Sequence, residues 1–167
     1  MPLLTLLILS LLAGSLIKLT DDIADKKLSH NLFAMPLGLA YGLIMGYLML
    51  IDADASLLFG GIVLGCLITG KINNRGHYFG LGAILIVLFL YGIKLTPLVL
   101  PIAALAALDE LKDVIPLPNA VFQYRLFLKL GILVFVILDM LGLNALIILI
   151  AFDSAYILTE RINSRFS

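Results

Sequence analysis

Long apolar runs, broken by charge or by Pro and Gly, organise this chain. They predict seven helices, at about 3–19, 32–51, 56–70, 78–93, 96–111, 125–141 and 143–160. Several lie near the lower limit of about 17 residues for crossing a ~30 Å hydrocarbon core. The expected fold class is therefore all-α. It is a polytopic transmembrane helical bundle of about seven short spans, forming one domain over residues 1–167.

Composition sharpens this picture. The chain is 62% hydrophobic and 13% charged, with a mean hydropathy of +1.15, which is too apolar for one aqueous core. The formal charge is zero, so bulk charge points to no nucleic-acid partner. The single Cys66 lies in an apolar run and supplies no disulfide framework. The opening "MPLLTLLILSLLAGSLI" lacks a basic leader and runs at once into acid, so it reads as a retained span.

Charge also orients the expected bundle. With seven spans, one side holds Lys18, Lys26, Lys27, Lys71, Arg75, Lys112, Arg125, Lys129, Arg161 and Arg165, and the other holds Lys94 alone. The positive-inside rule then puts the N-terminus outside and the C-terminus in the cytoplasm of a plasma-membrane protein. Small residues supply the packing. Gly38, Gly42 and Gly46 lie four apart, as do Gly61 and Gly65. Such spacing serves either a homo-oligomer interface or contacts within the chain, and seven short helices need the internal contacts first.

Two acidic clusters carry the candidate chemistry. In "IKLTDDIADKK", Asp22 and Asp25 share a helical face and Asp21 precedes them. In "LDELKD", Asp109 and Asp113 lie four apart, with Glu110 three before Asp113. Both follow an apolar run, and both map to the cytoplasmic face. Close carboxylates repel unless a divalent cation lies between them, and hard oxygen ligands suit Mg²⁺, which shares its shell with substrate phosphates. Asp21, Asp22, Asp25, Asp109, Glu110 and Asp113 are the expected metal ligands. The neighbouring lysines, Lys26 among them, would contact phosphate directly. The bland alternative is a pair of solvated, mixed-charge loops.

The arrangement resembles the UbiA-type intramembrane prenyltransferase superfamily. "DDIAD" is similar to that family's first Asp-rich motif, and "DELKD", four proposed spans on, to its second. "GKINNRGHYFGLG" resembles its basic diphosphate loop, which would involve Lys71 and Arg75, and "YRLFLKLG" its basic segment with Arg125 and Lys129. The family's further acidic positions are Ser29 and Leu117 here. The resemblance implies Mg²⁺ held by Asp22, Asp25, Asp109 and Asp113, gripping a polyprenyl diphosphate drawn from the membrane lipid. Prenyl transfer would proceed as the metal and Lys/Arg stabilise the leaving pyrophosphate.

Ionisable residues inside spans are functional candidates by default. Asp153 reads either as an acceptor-side base or cation ligand, or as the partner of Arg161, Arg125 or Lys129. Asp139 reads as an interfacial residue near the outer end of its span. Tyr41, Tyr47, Tyr78, Tyr91 and Tyr124 read mostly as packing or interface aromatics. His30 and His77 have no partner at metal spacing. Two rival readings stand beside prenyl transfer. One is a small cation transporter or channel with an acidic vestibule and Asp153 on its path. The other is an accessory subunit whose charged loops dock a partner.

Overall fold

The computed structural model describes residues 3–25, 33–92, 95–112 and 114–165. Among these the chain is all-helical, with α1 (Leu3–Asp25), α2 (Ala34–Ile51), α3 (Ala53–Ile68), α4 (Arg75–Tyr91), α5 (Val99–Asp109), α6 (Asn119–Gln123), α7 (Leu126–Ile137) and α8 (Leu143–Asn163). Local chemistry sets most boundaries. Asp52 ends α2 and caps α3, its carboxylate accepting from Ala55 N–H at 2.9 Å. Asn74 caps α4 through His77 N–H at 3.0 Å, and α4 stops at Gly92, where φ is 72°. Pro101 falls in the first turn of α5, where a missing N–H costs little.

Most boundaries shift from the sequence expectation and the short α6 is additional; three of the shifts bear on candidate residues. α1 continues through Asp25 instead of stopping near 19. Its last turns are held by Thr20 Oγ1 donating to Leu16 O at 2.8 Å, and by Lys18, 3.2 Å from both Asp22 and Glu160 of α8. α5 ends at Asp109, so the helix stops at the first residue of the second acidic cluster. The N–H groups of Glu110 and Leu111 turn back to Ala107 and Leu108, and the Asp109 side chain leaves to cap α7. α7 ends at Ile137 rather than near 141, because the chain turns at Asp139, which is exposed with φ 57°.

The longer helices alternate in direction. Lys18 meets Glu160, Asp21 meets Tyr156, and Asp109 meets the start of α7, all at one end. At the other end Asp52 accepts from Asn144 at 3.1 Å and Asp54 accepts from Gly142 N–H at 3.0 Å. α1 thus lies parallel to α8, α2 to α4, and α3 to α5. Among the described residues, three helical stretches are long and apolar enough to cross a membrane: Leu3–Ala24, Ala34–Ile51 and Leu143–Asn163. α3, α4, α5 and α7 are apolar but shorter. α5 and α7 reach only about 16–18 Å at ~1.5 Å per residue, roughly half a hydrocarbon core.

The surface is inverted relative to a water-soluble bundle. Phe89 is 89% exposed and Ile68 76%, while Asp109 and Asp153 are 4% and 3% exposed. Phe59 and Phe152 meet edge-on at 5.5 Å in the core. Gly38 and Gly42 bring α2 against α4, where a Cβ would lie 2.0 Å from Gly76 O and 2.3 Å from Gly80 O respectively. Gly61 and Gly65 pack against α5 in the same way. These glycines therefore serve contacts within the chain, and α4 covers the Gly38/Gly42 stripe.

Gly38→Ala is expected to destabilise the bundle by about 1–3 kcal/mol, the usual range for overpacking. Gly82→Ala, where an added Cβ meets nothing within 4 Å, should be neutral or stabilising by up to about 1 kcal/mol. Unfolding midpoints in detergent would check both.

Candidate functional site

The alternating helices leave a cavity of about 700 Å³, within the usual range of ligand sites. It lies where α1, α3, α5 and α8 end and α2, α4 and α7 begin. Asp21, Lys71, Asn74, His77, Glu110, Lys112, Arg125 and Glu160 give it a charged wall. Farther along the same helices, Met45, Ile62, Ile84 and Phe152 line it with apolar surface. The cavity is thus polar at one end and greasy at the other.

Asp21 organises one wall. One carboxylate oxygen lies 2.6 Å from His77 Nε2, and the other accepts from Tyr156 O–H at 2.9 Å. His77 Nδ1 lies 2.9 Å from Tyr41 Oη. The capping Asn74 fixes the backbone of His77, so α1, α2, α4 and α8 each place one member of this chain. Lys18 and Arg125 lie over the Tyr156 ring at 5.4 and 5.3 Å, within the range of cation–π attraction.

Basic residues adjoin this wall. Arg125, left-handed at φ 48°, stands 3.3 Å from Asp153 and 3.9 Å from Glu110. Lys71 lies 3.6 Å from Glu110. Lys129 Nζ is 2.9 Å from Asp153 Oδ2, a close ion pair whose angles do not make a hydrogen bond. Asp109 accepts from Phe127 N–H at 3.1 Å and Leu128 N–H at 2.8 Å, satisfying donors that open α7. A cap from a distant residue holds Arg125 at the cavity.

Both acidic clusters reach this cavity, though not through every expected residue. Asp21, Asp109 and Glu110 line it, as do Lys71 and Arg125. Asp22 turns about 100° away from Asp21 around α1 and engages Lys18 and Asn163 instead. Arg75 is exposed and off the cavity wall. Lys129 and Asp153 form the buried pair behind Arg125, so Asp153 pairs with Arg125 and Lys129, while Arg161 donates to Tyr124 Oη at 3.3 Å. Lys26, Asp113 and the Asp25 side chain lie outside the described residues. Among the described residues, no group of three His, Cys, Asp or Glu converges as a metal cage.

Sequence reasoning passed over Tyr41, His77 and Lys112. Of the two readings of Tyr41, packing holds, since it is 5% exposed, and its hydroxyl is also tied to His77. Its place between Gly38 and Gly42 on the face packed against α4 was the available signal. For Tyr156, the spacing of four before Glu160 already put the two on one face.

Compared with protein-family models, with curated proteins and with solved structures, the chain matches none.

Asp153→Ala leaves Lys129 without its carboxylate and Arg125 with Glu110 alone. It should cost about 3–5 kcal/mol, as breaking a buried pair does. Thermal unfolding in detergent would show it, and a fully stable variant would contradict the pairing.

Proposed function

We propose that the cavity binds the diphosphate of a polyprenyl lipid and that the protein transfers or processes its prenyl group. The observation that carries this reading is convergence. Asp21 from the first acidic cluster, Asp109 and Glu110 from the second, and Lys71, Lys112 and Arg125 all line one cavity with an apolar far end. A diphosphate at the charged wall and an isoprenoid tail along Met45, Ile62, Ile84 and Phe152 would match its two characters. A multi-pass arrangement with the charged end in the cytoplasm is part of this proposal, and the ten-to-one bias of basic residues supports it.

The donor set shapes the proposal. Asp21, Asp109 and Glu110 each already have protein partners, so the described residues do not fit a preformed Mg²⁺ cage. Lys71, Lys112 and Arg125 therefore carry the phosphate charge and stabilise the pyrophosphate as the C1–O bond breaks. Mg²⁺ enters this proposal as the counter-ion of the diphosphate, with which it shares its shell. The transport reading needs Asp153 open on a path, whereas that carboxylate is sealed between Arg125 and Lys129.

The test is binding of a long-chain prenyl diphosphate to the detergent-purified protein, with and without Mg²⁺. Lys71→Ala should weaken binding by about 10–100-fold, the loss of one charge-assisted contact of roughly 1.5–3 kcal/mol. Arg75→Ala should leave it unchanged. A prenyl alcohol bound as tightly as the diphosphate would overturn the proposal.

A further inference from the structure

We propose that Tyr41, His77 and Asp21 form a proton relay on the cavity wall, with Tyr41 Oη exchanging the proton with the substrate. This deepens the prenyl-transfer reading and rests on it for the identity of the reaction. It adds the place where the acceptor's proton goes.

The hydrogen-bond inventory sets the tautomer that the neutral ring takes. An ionised carboxylate only accepts. Asp21 takes Tyr156 O–H on one oxygen at 2.9 Å and faces His77 Nε2 at 2.6 Å with the other. The neutral imidazole therefore carries its proton on Nε2 and offers the Nδ1 lone pair to Tyr41 O–H, 2.9 Å away. Asp21 orients the base, His77 is the base, and Tyr41 is the hydroxyl from which it draws a proton. These are the roles that a carboxylate, an imidazole and a hydroxyl divide in nucleophile–base–orienter sites. All three line the cavity, and the Tyr41 and His77 rings meet edge-on at 6.1 Å. Tyr156 is a positioning residue that keeps the second Asp21 oxygen occupied.

The step balances without a further reagent. The acceptor gives its proton to Tyr41 Oη as the Tyr41 proton passes to His77 Nδ1, leaving an imidazolium against the Asp21 carboxylate. The acceptor's electron pair bonds to C1 of the prenyl chain, and the C1–O pair leaves with the diphosphate. The imidazolium then returns its proton through Tyr41 to a diphosphate oxygen or a water in the cavity.

Two measurements on the full chain in detergent test the relay. The chain has two histidines, so His30→Gln leaves His77 as the single signal in ¹⁵N-histidine NMR. A protonated Nε2 and a bare Nδ1 are expected for the neutral ring. Tyr41→Phe should shift the bare nitrogen and Asp21→Asn the protonated one. An Nδ1-protonated neutral ring, or a ring indifferent to both substitutions, overturns the relay. In the second measurement, Tyr41→Phe and His77→Ala should slow pyrophosphate release from a long-chain prenyl diphosphate by about 10²–10⁴-fold. Their affinity for it should hold, and added imidazole should restore His77→Ala. Tyr41→Phe turning over at the parent rate also overturns the relay. A protein that binds no prenyl diphosphate but shows the expected ring signals and responses loses the prenyl reading and keeps the relay.

Discussion

The buried carboxylate of Asp153 sets the terms for the charged end of the molecule. It lies ten residues from either end of α8, where water is scarce, and an isolated charge there would be very costly. Arg125 and Lys129 neutralise it from the start of α7, which fixes where α7 begins and how it meets α8. The left-handed turn at Arg125 leaves α7 without a local cap, and Asp109 fills that need from the end of α5. One ionic requirement thus ties α5, α7 and α8 together and leaves Arg125 between a buried anion and the cavity.

Elsewhere the bundle is held by close backbone contact rather than by charge. α2 and α4 meet through glycine pairs, and α1 and α8 through Gly14 against Phe152. A bundle whose outer surface is as apolar as its core gains little from hiding more grease, so van der Waals contact and internal hydrogen bonds must hold it together. The short α5 and α7 fit the same logic. Where they stop, the polar wall and its paired charges take over, and the cavity occupies the space between.

The charged residues around that cavity are arranged in pairs rather than as a cluster of free carboxylates. Asp21 is committed to His77 and Tyr156, Glu110 to Lys71 and Arg125, and Asp109 to two backbone donors. Such pairing preorganises the wall, because each side chain is already oriented before anything binds.

The sequence by itself determined the apolar helical character, the near-continuous order of the long helices and the gathering of charge at one end. Each follows from local composition and spacing. It also placed both acidic clusters on the same side, because alternating helices return every second break there, but not at one site. It could not decide which carboxylate faces the cavity, since Asp21 and Asp22 differ by only one residue and about 100° of rotation. That choice came from α8, whose Tyr156 draws Asp21 inward while Asn163 and the shared Lys18 hold Asp22 outside. Tertiary structure likewise turned Asp109 into a cap and Tyr41 into a hydrogen-bonded neighbour of His77. Both roles depend on partners many residues away in the chain, which no local pattern encodes.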